Sequence, residues 1–314
     1  MRSLATSVLI LFICVAGASA QTIRSAEDYL NSAVANVRDN KPDSALDDLD
    51  KAVELNPRLA SAYILRGNLR GQKKDVEGAL SDYDRAIELS PDARGMEVAY
   101  NNRSVIRLSK GDITGALTDI NNAIRLNPRV GAFYNQRAIV LLQEGGAEGS
   151  VADYEKALEL SPNLPSAHYG RGAYYFDKGD LDKAAASFDK AIGLLPNYAF
   201  AYVYRGMVRG MKGDINGAMA DMKKGISLDP NSASELGIGK FSSPPKKLNQ
   251  FIASNPTNAR AREVRGLLRL IAGRVADSEQ DFRKSLELDP HLRSEINKAV
   301  KEVNATASGS TVPL

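Results

Sequence analysis

Between Pro165 and Pro196 the apolar side chains recur at intervals of three and four residues in two blocks. This spacing places apolar residues on one face of an α-helix, so each block predicts an amphipathic helix. Gly179-Asp180 separates the blocks and predicts a turn, because glycine suits a left-handed helix end and aspartate can cap the next helix. Pro196 ends the second block, since proline biases the preceding residue out of the helical region. The segment therefore predicts a helix–turn–helix unit.

The same pattern recurs through most of the chain. Prolines close the successive units, at Pro57, Pro91, Pro128, Pro162, Pro196, Pro230, Pro256 and Pro290. Five of the seven intervals between these prolines are 34 residues long, and the other two are 37 and 26. Regular spacing of this length is typical of repeat proteins, in which neighbouring units stack to bury a continuous core.

Each unit carries the same residue types at the same places. The fourth position is aromatic in Tyr29, Tyr63, Tyr100, Tyr134 and Tyr202, with His168 in its place once. Four residues later comes a small residue, namely Ala33, Gly67, Ser104, Ala138, Gly172, Gly206 or Gly266. The second helix carries small residues seven positions apart around a larger one, namely Leu49, Tyr83, Ile120, Tyr154, Phe188 or Met222. The small residues let two backbones approach, and the larger residue fills the space between them.

These positions resemble those of the tetratricopeptide repeat, a helix–turn–helix unit with aromatic, small, alanine and proline residues at set places. The resemblance implies an all-α fold in which stacked repeats form an α–α superhelical solenoid. An array at residues 21–230 contains six units, at 26–57, 60–91, 97–128, 131–162, 165–196 and 199–230. A further unit lies at 259–290.

The regular pattern is interrupted after the sixth unit. Residues 231–258 predict a divergent repeat or a linker, because they begin rich in Ser, Gly and Pro and continue, from residue 246, as a second helix without a clear first partner. Residues 291–304 predict a polar amphipathic helix that caps the stack, since the last repeat would otherwise expose an apolar face. Residues 305–314 predict a disordered tail.

The N-terminus has the pattern of a secretory signal peptide. Arg2 precedes an apolar run at residues 4–17, and Ala18-Ser19-Ala20 forms a small-residue cleavage site. Residues 1–20 therefore predict export to a periplasmic or secreted location, with cleavage after Ala20. The run is shorter than the roughly 20 residues that span a bilayer, so no membrane insertion is expected after cleavage.

Charge and cysteine content narrow the possible partners. The formal net charge of the chain is +3, and cleavage would remove Arg2 and the single cysteine, Cys14. The mature chain could then form no disulfide within itself. Its nearly balanced charge argues against a dedicated nucleic-acid surface.

Arginine occupies the seventh position of most units, in Arg66, Arg103, Arg137, Arg171, Arg205 and Arg265. The second helices carry aspartate at a matching place, in Asp48, Asp82, Asp119, Asp153, Asp221 and Asp281. The arginines could form a cationic stripe that binds carboxylates or phosphates, or they could pair with the aspartates where helices pack. The equal numbers of arginines and aspartates in these two series favour pairing between them. Pairing within a unit, as in Arg66 with Asp82, joins five pairs, whereas pairing with the preceding unit, as in Arg66 with Asp48, joins four. Ser187 interrupts the aspartate series.

In the family that the chain resembles, partners usually lie along the concave face, which is lined by the first helices. In repeats three and four the corresponding positions hold Val98, Asn101, Val105, Leu108, Ala132, Asn135, Ile139 and Leu142. In repeats five and six they become more apolar and aromatic, and such residues often anchor bound peptides. The predicted protein-binding residues are therefore Tyr169, Phe176, Phe200, Val203, Met207 and Met211. Alternatively, these side chains cover the inner face or pack against a neighbouring helix.

Nothing in the sequence has the pattern of a catalytic, metal-binding or cofactor-binding site. The two histidines, His168 and His291, are far apart, and His168 replaces a tyrosine that is expected to pack in the core. The sequence predicts a non-enzymatic scaffold that needs no cofactor and binds a protein or peptide segment. The alternative is a structural subunit of an envelope or secretion assembly, which would contact partners through its convex face or its ends. The oligomeric state stays open.

Overall fold

The computed structural model describes residues 24–229, 246–271 and 273–306. Within these ranges the regular structure is entirely helical, with sixteen α-helices and one short 3-10 turn. This confirms the predicted all-α fold. The predicted signal peptide, the linker up to residue 245 and the tail beyond Thr306 lie outside the described residues.

Contacts between Cα atoms divide the chain into two compact units, residues 1–99 and 100–314. The first unit holds α1 (Ala26–Arg38), α2 (Pro42–Leu55), α3 (Ala60–Gln72), α4 (Val76–Leu89) and the start of α5 (Met96–Ser109). Helix α1 packs against α2, α3 packs against α4, and α2 packs against α3, which joins the two pairs. Leu49 is fully buried among the alanines of α1, α2 and α3.

The second unit continues from α5 through further helical pairs. These are α6 (Ile113–Leu126), α7 (Gly131–Glu144), α8 (Ala147–Leu160), α9 (Pro165–Asp177), α10 (Leu181–Leu194), α11 (Ala199–Met211) and α12 (Ile215–Leu228). After the undescribed segment come α13 (Lys246–Ser254), α14 (Ala259–Ile271), α15 (Val275–Leu288), a 3-10 turn (Pro290–Leu292) and α16 (Arg293–Thr306). Successive pairs are joined where α6 packs against α7, α8 against α9, and α10 against α11.

The turns within the repeats have the chemistry that Gly-Asp pairs predict. Gly111 and Gly179 adopt left-handed backbone angles, with φ of +82° and +78°. The side chains of Asp112 and Asp180 accept hydrogen bonds from the backbone N–H groups three residues later, which caps α6 and α10. These contacts satisfy amide groups that have no partner within their own helix.

Small residues at the eighth position allow close packing between the two helices of a repeat. A Cβ atom on Gly172 would lie 2.7 Å from a ring carbon of Phe188, and one on Gly67 would lie 2.9 Å from a ring carbon of Tyr83. Real Cβ atoms essentially never approach so closely, so the aromatic ring occupies the space that a larger side chain would need. The small residue at the eighth position therefore sets the distance between the two helices of a repeat.

The C-terminal helices pack directly onto the sixth repeat. Helix α14 contacts α11 and α12, and α16 contacts α12 and α14. The apolar side of α16 and of the turn before it buries Leu292, Ile296 and Val300 in a cluster with Ile215 and Met219 of α12. Helix α16 thus covers apolar surface at this end of the second unit, and it extends two residues beyond the predicted cap.

The described helices include none that is both long enough and apolar enough to cross a membrane.

Candidate partner-binding face

The predicted groove residues of repeats five and six lie mostly in the hydrophobic core. Phe176, Val203 and Met207 are fully buried, and Met211 is buried as well. All four belong to one cluster that also contains Leu248 and Ile252 of α13 and Val264 and Leu268 of α14. These side chains offer no open surface, so the expectation of an accessible groove at these four residues is corrected.

Helices α13 and α14 are the physical reason for this burial. The ring of Phe176 lies 5.9 Å, centroid to centroid, from the ring of Phe251 on α13. A Cβ atom on Gly210 of α11 would lie 2.5 Å from Cγ2 of Val264 on α14, so these two helices are in close contact. The alternative interpretation, that the apolar residues pack against a neighbouring helix, therefore describes these four side chains.

Tyr169 and Phe200, the other two predicted residues, are half-buried. The ring of Tyr169 contacts the rings of Tyr198, Phe200 and Tyr204 at centroid distances of 5.1, 6.4 and 5.6 Å. Burial raises the pKa of the Tyr169 hydroxyl well above its usual value. The structure thus brings these two residues together, within an aromatic cluster that joins α9 to α11.

Repeats three and four present a more open first-helix surface. On α5, Val105 is 46% exposed, and Asn101 and Leu108 are half-buried. On α7, Ile139 and Leu142 are half-buried, and the buried Oδ1 atom of Asn135 has no hydrogen-bond partner in the described part of the chain. These six residues occupy the positions that the resemblance assigned to the concave surface, and we call them the α5–α7 face. The Arg103–Asp119 ion pair joins α5 to α6, and α7 packs directly against α6.

Five of the six arginines at the seventh position are paired with aspartates, so in the described ranges these arginines form no free cationic stripe. The five pairs predicted within units are all present, with the closest nitrogen–oxygen distances between 2.5 and 2.7 Å. They are Arg66–Asp82, Arg103–Asp119, Arg137–Asp153, Arg205–Asp221 and Arg265–Asp281. In the fifth repeat, where the aspartate is missing, Arg171 donates a hydrogen bond of 3.3 Å to Ser187. We call this series the arginine ladder.

The ladder also reaches the preceding repeat, through a residue that the sequence did not indicate. Arg66 contacts Asp50 at 2.7 Å, whereas Asp48 accepts a hydrogen bond from Asn36. The predicted alternative pairing of Arg66 with Asp48 is therefore wrong. Equivalent contacts, 16 residues back, join Arg137 to Asn121 and Arg205 to Asp189.

A second arginine, one helical turn after the first, shares the same aspartate in four repeats. These arginines are Arg70, Arg107, Arg209 and Arg269, and they lie between 2.6 and 2.9 Å from the aspartate. Sequence reasoning missed them, although the spacing of four residues on one helix face was visible.

His168 has a structural role at the fourth position. Its Nε2 atom lies 2.9 Å from the carbonyl oxygen of Pro162, six residues earlier. Tyr63 and Tyr134 donate hydrogen bonds from their hydroxyl groups to the equivalent proline carbonyls, those of Pro57 and Pro128. Burial lowers the pKa of His168, so the neutral ring is favoured near neutral pH.

No group of three or more histidine, cysteine, aspartate or glutamate residues that could hold a metal ion is found in residues 24–229, 246–271 and 273–306.

A sequence model of the tetratricopeptide repeat matches residues 30–94, 103–165, 136–199 and 246–292, more than half of the chain. The chain belongs to the tetratricopeptide repeat family. No curated protein sequence matches it. Proteins of this family are generally non-catalytic scaffolds for protein interaction, and the fold of this chain is of that type.

Solved structures support the tetratricopeptide repeat fold. A tetratricopeptide repeat protein from Parabacteroides merdae is 19% identical, with a TM-score of 0.54, over 89% of this chain and 98% of that one. PilF from Pseudomonas aeruginosa is 17% identical, with a TM-score of 0.58, over 68% and 96% of the two chains. A chain of the APC/C hetero-tetramer Cut9–Hcn1 is also 17% identical, with a TM-score of 0.59, over 68% and 42%. At these identities the similarity shows the fold alone.

Proposed function

We propose that this tetratricopeptide repeat protein is an exported, non-enzymatic scaffold that binds an extended segment of a partner protein on the α5–α7 face. The observation that carries the proposal is the buried Oδ1 atom of Asn135, which has no hydrogen-bond partner in the described ranges. A buried polar atom without a partner costs free energy, and rotation of the Asn135 side chain toward the surface would let a backbone N–H group of a bound peptide satisfy it.

Apolar side chains of the α5–α7 face supply the second component of such a site. Val105 is the most exposed of them, and Leu108, Ile139 and Leu142 are half-buried. Covering apolar surface contributes about 25 cal/mol per Å² of buried area. Alternate side chains of an extended segment would cover these residues, while its backbone bonds to the amide groups.

The binding face is tested with the purified chain and a library of labelled extended peptides, using fluorescence anisotropy. Val105→Glu places a charge on the α5–α7 face and is expected to abolish the saturable signal without lowering the melting temperature. The matched control is Leu194→Glu, because Leu194 is a similarly exposed apolar residue at the end of α10. Asn135→Ala is expected to weaken binding, since it removes the unpaired acceptor.

Two outcomes would contradict the proposal. Equal binding by Val105→Glu and by Leu194→Glu would move the interface away from the α5–α7 face. The absence of binding to any peptide would favour the alternative, a structural subunit that contacts its assembly through another surface.

Export is tested separately, by fractionating cells and sequencing the N-terminus of the recovered protein. A chain that begins at Gln21 in the extracytoplasmic fraction is the expected result. A chain that keeps its first twenty residues and stays in the cytosol would contradict this part of the proposal.

A further inference from the structure

The last repeat carries Arg262 at the fourth position, where the other repeats have tyrosine or, in the fifth, His168. In repeats two and four the guanidinium group of the ladder arginine lies over this tyrosine, 5.3 Å from the ring centre for Arg66 and Tyr63 and 5.4 Å for Arg137 and Tyr134. In the last repeat the position of that ring adjoins a cavity of about 460 Å³ between α14 and α15. The cavity thus lies beside the arginine ladder in the repeat that lacks the aromatic ring.

The cavity is strongly cationic. Arg262, Arg265, Arg269, Arg283 and Lys284 line it, and the two acidic residues among its lining are Asp281 and Glu287. Five cationic side chains therefore face two carboxylates, which is an excess of three positive charges among the residues that line the cavity.

The equivalent place in the second repeat is better compensated. There Arg66 and Arg70 share Asp82, and Arg66 also pairs with Asp50 of the preceding repeat. In the last repeat Arg265 and Arg269 share Asp281, but the residue that Arg265 reaches on the preceding helix is Asn249, which carries no charge. The difference between the two repeats makes the cavity a site of positive charge rather than a balanced ion-pair network.

Two buried guanidinium donors at this cavity lack partners. Arg262 donates from Nη2 to the carbonyl oxygen of Pro256 at 3.2 Å, and Arg269 donates from Nη1 to Asp281. The Nε atoms of both arginines are buried and have no hydrogen-bond partner among the described residues. Burial lowers the pKa of Arg269, Asp281 opposes this effect, and the charge of Arg265 adds to it. A bound anion would accept hydrogen bonds from the guanidinium groups that line the cavity and would offset the excess charge.

We propose that the cavity between α14 and α15 binds a phosphate group, either as the free ion or as the ester of a small molecule. Arginine forks match the oxygen atoms of phosphate and form charge-assisted hydrogen bonds with them. A doubly charged phosphate balances three excess positive charges better than a single carboxylate does. The cavity lies in the last repeat, away from the α5–α7 face, so this inference does not depend on the proposed function.

The test is isothermal titration calorimetry of the full chain with inorganic phosphate, glycerol 3-phosphate and acetate at low ionic strength. Arg262→Tyr restores the ring that other repeats carry and removes one donor, so it is expected to keep the melting temperature while weakening phosphate binding by about tenfold or more. Arg283→Ala removes a lining cation and is expected to weaken binding similarly. The control is Arg85→Ala, because Arg85 pairs with Glu88 in the second repeat as Lys284 pairs with Glu287 here.

Saturable binding of phosphate that both cavity variants weaken and the control does not would support the proposal. Tighter binding of glycerol 3-phosphate than of inorganic phosphate would identify an ester as the ligand, and the reverse order would identify the free ion. The proposal is overturned if phosphate produces no saturable heat, if both cavity variants bind it as well as the original chain, or if acetate binds as tightly as phosphate.

Discussion

Arg103 holds both carboxylate oxygens of Asp119, with 2.8 Å between Nε and Oδ2 and 2.6 Å between Nη2 and Oδ1. Asp119 is fully buried, and Arg107 contacts its Oδ2 atom from one helical turn further along α5. One carboxylate thus fixes two arginines and ties α5 to α6. The arrangement recurs in four repeats, so it belongs to the architecture of the array.

Asp119→Ala is expected to destabilise the protein by about 3–5 kcal/mol, because it leaves two arginines without their buried counter-charge. The control is Asp182→Ala, since Asp182 forms an exposed ion pair with Lys212, and such pairs contribute about 0–1 kcal/mol. Thermal unfolding followed by circular dichroism measures both variants. Equal melting temperatures for the two would contradict a structural role for the ladder.

The sequence predicted the pairing within each ladder unit because the residues concerned recur at a fixed spacing of 16. It did not predict the contacts with the preceding repeat. The acceptor from the preceding repeat is an aspartate in some repeats, such as Asp50, and an asparagine in others. A comparison of residue types along the chain therefore shows no regular series at this position. Hydrogen bonding to a guanidinium group requires only an acceptor oxygen, which both residue types provide.

Lys74 adopts a left-handed backbone, with φ of +65°, at the place where later repeats have glycine. A side chain there is strained, so Lys74→Gly is expected to stabilise the protein by about 0.5–1 kcal/mol. The reciprocal change is Gly111→Lys, because Gly111 has φ of +82° and open space around a Cβ atom. That variant should lose a similar amount of stability. Chemical denaturation of both variants checks the pair, and shifts in the same direction would contradict the explanation.

Which first-helix residues stay accessible could not be predicted from repeat positions alone. Phe176 and Met207 fit the pattern of a concave apolar surface, but α13 and α14 bury them. This burial depends on contacts between residues far apart in sequence, such as Phe176 with Phe251, and no local pattern specifies them. Val105 occupies the position in its repeat that Met207 has in the sixth, and it stays exposed because no described helix covers it to the same extent.

Phe176→Ala is therefore expected to affect stability rather than binding alone. Phe176 is fully buried, and truncation of such a phenylalanine typically costs about 3–5 kcal/mol. Val105→Ala is the control, since an exposed valine should change stability by about 0.5 kcal/mol or less. A double-mutant cycle with Phe251→Ala measures the contact itself, and a coupling energy of about 0.5–1.5 kcal/mol is expected for an aromatic pair. Additive effects would contradict the packing of α13 against α9.

Glu263 of α14 is fully buried, and its Oε1 atom has no hydrogen-bond partner in the part of the chain that the structure describes. Burial raises its pKa from 4.5 to about 7, with Arg260 opposing this shift and Glu295 and Asp289 adding to it. Arg260 lies 3.4 Å from Glu263 but contacts Glu295 more closely, at 2.6 Å. Arg260 thus forms its closer ion pair with Glu295. The buried carboxyl group of Glu263 is left to favour its protonated form.

A raised pKa in the folded state makes stability depend on pH. Between pH 4.5 and 7 the folded chain binds more protons at Glu263 than the unfolded chain does, so this contribution to stability is complete below about pH 4.5 and is lost as the pH rises through 7. Glu263→Gln keeps the shape of the side chain and removes its titration. We expect the variant to gain stability relative to the original chain as the pH rises from 5 to 8, by on the order of 3 kcal/mol. Denaturation midpoints at several pH values measure the difference, and Glu144→Gln, at an exposed site on α7, serves as the control. A constant difference between Glu263→Gln and the original chain across this range would show that Glu263 does not titrate there.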